Sequence, residues 1–346
     1  MNKDHDIRGM MPDELKKLLA EMGEPAYRAG QLFSWLHRRQ VSSFDEMTDL
    51  SLPLRNRLKE ETELVTLEKL IERVSVDGTR KYLLRLPDDE TVECVLMKYH
   101  YGYSLCISSQ VGCRMGCSFC ASARGGLVRS LKASEMLEQV YTVQRLNSIR
   151  ISHVVVMGTG EPLDNYDALI RFLKLINSDK GQNMSLRNIT VSTCGLVEKI
   201  GELAEEDLPI TLAISLHAVT DEKRRTLMPV ANRYSIRQIT EACNAYFEKT
   251  GRRITFEYSL ISGVNDSMED ADKLAVIAAE CGAHVNLIPV NPAGNEKYRA
   301  GTRSAVRAFH DRLENHGINV SIRRVLGQDI EGACGQLRHR RLTGEI

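Results

Sequence analysis

The sequence predicts an α/β protein built as a partial, open β/α barrel of about six parallel strands plus an edge strand. A small helical segment and a strand-rich linker come before it. Three observations lead there. From Leu105 onward, apolar runs of strand length alternate with amphipathic stretches of helix length. Between Val65 and Ser108 the apolar period drops to two, with turn residues between the runs. Clusters of Cys, Gly and polar residues fall directly after expected strands, where parallel barrels carry their chemistry.

Residues 1–63 read as a helical accessory domain. Pro12 opens a helix through Met22, with Leu15, Leu18, Leu19 and Met22 on one face. Pro25 opens a second through Arg39, carrying Leu32, Phe33, Trp35 and Leu36, and Pro53 begins another that ends near Glu61. Residues 64–103 form a hairpin linker, with expected strands Leu70–Val76, Lys81–Leu86 and Thr91–Lys98 separated by Asp77-Gly78 and Pro87-Asp88-Asp89. Residues 104–346 form the barrel and a C-terminal segment. Its expected strands are Leu105–Ser108, His153–Met157, Asn188–Ser192, Ile210–Ser215, Ile254–Leu260, His284–Ile288 and Asn319–Ile322. Helices are expected at Ala133–Leu146, Tyr166–Asn177, Glu198–Ala204, Ile236–Lys249, Met268–Cys281 and Ser304–Asn315.

Hydrophobic residues at 42% and charged residues at 27% are ordinary for a soluble globular protein, and no run is apolar enough to span a bilayer. Nine Cys without secreted-type patterning point to a reducing compartment, so the cytoplasm is expected. With 46 basic and 46 acidic side chains there is no whole-molecule field to attract nucleic acid, so any RNA contact must be local. Candidate patches are His37-Arg38-Arg39, Arg124 to Lys132, Lys223-Arg224-Arg225, Arg323-Arg324 and Arg338 to Arg341.

Cys113, Cys117 and Cys120 form a C-x3-C-x2-C triplet in a Gly-containing loop, with Phe119 between the last two. A [4Fe-4S] cluster is normally held by four thiolates, so three leave one iron open to an outside ligand. A structural zinc site would need a fourth protein ligand, and Cys194 is remote in sequence. Gly158-Thr159-Gly160-Glu161-Pro162 puts glycines and a carboxylate after the next strand, either for close approach to a ligand or as a tight turn with a capping Glu. Ser192, Ser215, His217 and Asn291 sit at strand ends, as ligand contacts or as satisfied loop residues. Cys334, flanked by glycines, suits either an accessible nucleophile or an inert buried thiol, and Cys106 carries the same ambiguity. Cys94, Cys194, Cys243 and Cys281 read as core.

The triplet with Phe119 resembles the signature of radical S-adenosylmethionine (SAM) enzymes. Taken with Cys106 to Cys113, Gly160-Glu161-Pro162-Leu163, Ser215-Leu216-His217, Asn286 to Pro289 with Asn291, and Ala333 to Leu337, the chain resembles the RlmN branch of the RlmN/Cfr family of RNA methyltransferases. That resemblance implies a [4Fe-4S] cluster on Cys113, Cys117 and Cys120. It implies SAM contacts from Gly160, Glu161, Ser192, Ser215, Leu216, His217 and Asn291, and catalytic roles for Glu93, Cys106 and Cys334. Cys334 would carry a methyl group from one SAM, and a second SAM would yield a 5′-deoxyadenosyl radical. Cys106 would resolve the RNA adduct through a transient disulfide with Cys334, and Glu93 would accept a proton. The implied substrates are the peptidyl-transferase-centre adenine of 23S rRNA and the adenine 3′ of the tRNA anticodon, methylated at C2. A flavodoxin or ferredoxin would supply electrons to a monomeric enzyme. Pro162, where Cfr-type C8 methyltransferases usually carry Ala, favours C2. The alternatives are C8 chemistry, a radical SAM enzyme with another substrate, and a zinc-dependent RNA-binding protein.

Overall fold

The computed structural model describes residues 5–290, 298–324, 326–330 and 337. In the N-terminal part, His5–Asp6 (β1) is followed by helices Pro12–Glu21 (α1), Tyr27–His37 (α2) and Leu52–Glu61 (α3), and Thr62–Glu63 (β2) pairs parallel with β1. Proline stands in the first turn of α1 and of α3, where a missing N–H costs nothing.

The chain then enters one ten-stranded sheet. Its first strands, Glu68–Val74 (β3), Arg80–Arg85 (β4) and Thr91–Tyr99 (β5), run antiparallel, as the period-two pattern predicts. Gly102–Ile107 (β6) pairs antiparallel with β5 and parallel with Ile151–Val156 (β9), so the linker hairpins continue the barrel sheet. Between β6 and β9 lie two short strands, Gln110–Gly112 (β7) and Leu127–Ser130 (β8), and helix Ala133–Asn147 (α4).

The rest alternates as expected. Tyr166–Asn177 (α5), Ile189–Thr193 (β10), Val197–Glu205 (α6) and Thr211–Ser215 (β11) come first. Asp221–Leu227 (α7), Ile236–Thr250 (α8), Thr255–Leu260 (β12) and Met268–Glu280 (α9) follow. His284–Pro289 (β13), Arg303–Asn315 (α10) and Val320–Ile322 (β14) complete the series. The sheet order is β14-β13-β12-β11-β10-β9-β6-β5-β4-β3. Strands β6 and β9 to β13 are the six parallel strands, with β14 as the edge.

One hydrophobic core runs from the N-terminal helices into the barrel, and α4 is the joint. Residues Ala133 to Gln144 are all buried, polar ones included, because α4 is covered by the sheet on one side and the N-terminal helices on the other. Buried polar groups need partners, and here the partners cross between the two parts. Glu138 pairs with Arg8 and Arg145. His37 Nδ1 meets the Tyr141 hydroxyl at 3.1 Å, and Gln40, Gln144 and Gln182 bond to one another.

Candidate active site

The β7–β8 hairpin brackets the cysteine loop and closes it. Gly112 has φ +78°, and a Cβ there would lie 1.9 Å from the Gly126 carbonyl oxygen, so the hairpin's crossing admits only glycine. The Cys113 amide donates to Gly126 O at 2.9 Å, and Cys120 N donates to Cys117 O at 3.1 Å. Two anchors fix the loop from outside. Arg114 donates in bidentate fashion to Asp164 at 2.7 and 2.8 Å, and Ser118 N donates to Leu227 O at 2.9 Å. Gln110 joins the first anchor to the next loop: its Nε2 donates to Asp164, and its Oε1 accepts from Glu161 N.

The three loop cysteines line a cavity of about 240 Å³ whose remaining wall is built from the C-terminal ends of the parallel strands. Gly158, Gly160 and Glu161 come from the loop after β9, Ser192 from β10, Ser215 and His217 from the end of β11, and Glu257 and Ser259 from β12. Arg323 closes it just past β14. Phe119 meets the His217 ring edge-on, 5.0 Å between centroids, and covers one side.

Charge in this cavity is governed by burial. The Cys113 and Cys117 thiols are each pushed up to about 12, first by burial and then by the neighbouring cysteines and Glu161. A cationic centre bound there would reverse that preference and hold them as thiolates. His217 is driven down to about 3 by burial and by Arg224, so it is neutral. Its Nδ1 accepts from Ser259 N at 3.0 Å, which leaves the proton on Nε2. Burial raises Glu161, whose carboxylate accepts from Leu163 N at 3.0 Å and Cys194 N at 2.7 Å. The capping reading of Glu161 is therefore realised, at a position that also faces the cavity. Gly160, with φ +110°, lines the cavity, and a Cβ there would sit 2.7 Å from Gln110 N, so packing alone already calls for glycine.

Several expected residues lie elsewhere. Leu216 is fully buried behind the wall, and its amide donates to Glu257 O. Glu93 and Cys106 lie on one face of the adjoining strands: Val95 pairs with Cys106, and Glu93 is two positions before Val95. Cys106, Val95 and Met97 form a separate small apolar cluster, and Met157 both packs on that cluster and lines the cavity. Cys334 and Asn291 lie outside the described residues, and no disulfide links the described cysteines.

Other functional candidates were not singled out from sequence. Cys194, read as core, is buried but lines the cavity and packs with Cys117 and Phe119. Glu257 is buried, held up by desolvation, and accepts from Asn286 Nδ2 at 2.8 Å. Its signal was present, because Thr255, Glu257 and Ser259 alternate along a parallel strand that should otherwise be apolar. Lys81, on β4, is fully buried against Glu93. Among the basic patches, Arg224 is wholly buried and donates to the carbonyls of Cys194, Ser215 and Leu216, so it faces no partner. Lys223 pairs with Asp270, and Arg39 stacks on Trp35 at 3.9 Å.

The chain is similar to known proteins along nearly its whole length. Residues 107–275 match the Radical SAM superfamily, and residues 5–64 match the ribosomal RNA large subunit methyltransferase N-terminal domain. A relative from Lachnospira eligens named "Probable dual-specificity RNA methyltransferase RlmN" is 56% identical over 336 residues, 97% of this chain and 96% of its own. One of the same name from Clostridium perfringens is 51% identical over 328 residues, 94% of each chain. The crystal structure of a radical SAM methyltransferase from Sphaerobacter thermophilus superimposes with a TM-score of 0.92 at 40% identity, covering 96% of this chain and 98% of that one. By sequence and by fold, the chain belongs to the RlmN family of radical SAM RNA methyltransferases.

Proposed function

We propose that this protein methylates C2 of adenine in both 23S rRNA and tRNA, with Cys334 carrying the methyl group before transfer. The observation that supports it best is the single cavity in which Cys113, Cys117 and Cys120 face Glu161, Ser192, Ser215 and His217. Three thiols suit a [4Fe-4S] cluster with one iron open to SAM. When bound, cluster and SAM supply a 5′-deoxyadenosyl radical, given an electron from a flavodoxin- or ferredoxin-type donor.

The chain's own residues do the rest. The Ser192 and Ser215 hydroxyls and the His217 Nε2 proton are available to the polar groups of SAM, with Asn291 as a further contact. The Cys334 thiolate takes a methyl from a first SAM: a sulfur–carbon bond forms as the sulfonium bond breaks. The Cys334 methyl would first lose one hydrogen atom to the 5′-deoxyadenosyl radical, and its carbon would bond to C2. The adduct would then give up the C2 proton and one electron, for which the oxidised cluster would be the acceptor, before the Cys106 thiolate attacks the Cys334 sulfur. A disulfide forms, and the electron pair of the broken carbon–sulfur bond passes to the carbon, which becomes the new methyl on taking a proton. Glu93 accepts the proton that leaves C2. Such a route is needed because C2 is electron-poor and cannot attack SAM directly. A base in a stem must also be turned out to reach the site. The choice of C2 over C8 rests on Pro162-Leu163 and on the N-terminal segment. We place the enzyme in the cytoplasm as a monomer; among the described residues, no helix is long and apolar enough to cross a membrane.

Peptide mass spectrometry of protein produced with SAM and an intact cluster tests the central step. A methyl group on Cys334 is expected, and it should be absent from the Cys113→Ala protein. Unmodified Cys334 in the cluster-loaded protein would refute the carrier role.

A further inference from the structure

Lys81 and Glu93 form an ion pair inside the barrel, with 3.0 Å between Nζ and Oε2 and side chains 0% and 2% exposed. Register explains the meeting. Lys81 pairs with Val95 and Leu83 with Glu93, so the four side chains share one sheet face, with Lys81 and Glu93 diagonal to each other. Val95 is in turn opposite Cys106. Both side chains are buried, and Val95, Met97, Val155 and Met157 pack about the neighbouring Cys106. A carboxylate alone in such a place takes up a proton, and a lysine alone gives one up. Burying two charges to hold a strand pair together gains little, since apolar residues of similar size do as well or better. The pair therefore calls for a reason other than stability.

Resting on the proton-accepting role proposed for Glu93, we infer that Lys81 is the positioning residue that keeps Glu93 ionised, so that the pair and not Glu93 alone receives the proton from the substrate base. In that step the C2–H bond breaks with its electron pair left in the purine ring, and the proton bonds to a Glu93 oxygen. Lys81 from β4 and Cys106 from β6 share the sheet face of Glu93, Cys94 lies on the other face of its own strand, and Val155 of β9 stands opposite Cys106.

The test is the pH profile of RNA methylation per loaded cluster for wild type, K81M, K81R and E93Q. K81M should be slower at pH 7 on the order of 10²-fold. Its deficit should shrink as the pH is raised. K81R, which keeps the charge, should follow the wild-type profile. If K81M matches wild type at pH 7, or its deficit is constant with pH, the inference about Lys81 is wrong. If E93Q itself turns over normally, the role of Glu93 fails instead. Should K81M not fold, the infrared difference between wild type and E93Q decides: an ionised carboxylate supports the inference, and a protonated acid overturns it.

Discussion

Arg224 donates to backbone carbonyls of Cys194, Ser215, Leu216 and Tyr234, with its closest contact 2.6 Å to Cys194 O. It ties the end of β10 to the end of β11, the two strand ends that carry Ser192, Ser215 and His217 into the cavity. Replacing it with Leu would strand several buried carbonyls at once. The R224L protein should lose about 3 kcal/mol of stability on denaturant unfolding and should bind SAM weakly by equilibrium titration. Unchanged values in both measurements would remove this role. Nothing in the sequence distinguished Arg224 from Lys223 or Arg225, because a run of three cations looks the same whether its middle member points inward or out. The cysteine triplet was legible for the opposite reason: its spacing alone restricts the chemistry. Lys81 stayed hidden because its partner is twelve residues away across a hairpin turn, a distance that only strand register closes.

At the scale of elements, strand and helix periods made the barrel readable. Tyr166–Asn177 is found with the bounds expected, the first barrel strand begins three residues earlier than expected, and the other principal barrel elements differ by one or two residues at their ends. The β7–β8 hairpin was not foreseen, since strands of three and four residues are too short to display a period. Helix α7 was missed as well: its seven residues, DEKRRTL, carry almost no apolar stripe. Helix α4 shows what amphipathic reading omits, for its polar face is buried against the N-terminal helices and not in water. That interface carries a pH dependence. His37, buried between α2 and α4, has its value lowered to about 3 by burial and by Arg8. As pH falls below 6.5, the unfolded chain binds a proton that the folded one refuses, so stability declines from there toward pH 3. The slope is at most about 1.4 kcal/mol per pH unit for this one group. His37→Gln should therefore lose less stability than wild type between pH 7 and pH 5.5, as read from urea midpoints. Equal losses would show that His37 does not set the acid limb.

Over the whole molecule, one continuous core and a ten-stranded sheet join the N-terminal helices, the hairpins and the barrel. An RNA held by the N-terminal part would therefore face a cavity fixed relative to it. The cavity's described lining is drawn from eight segments distributed along the chain, which is why no single motif described it and the order of motifs did. The expected SAM contacts meet there except Leu216, which backs the wall, and Asn291, which with Cys334 falls outside the described residues. Nucleoside mass spectrometry of 23S rRNA and tRNA, from a strain lacking the endogenous enzyme and supplied with this chain or with its Cys334→Ala variant, tests the account most directly. The wild-type chain should restore 2-methyladenosine in both RNAs and the variant in neither. Appearance of 8-methyladenosine in place of the 2-methyl base, or restoration by the variant, would contradict it.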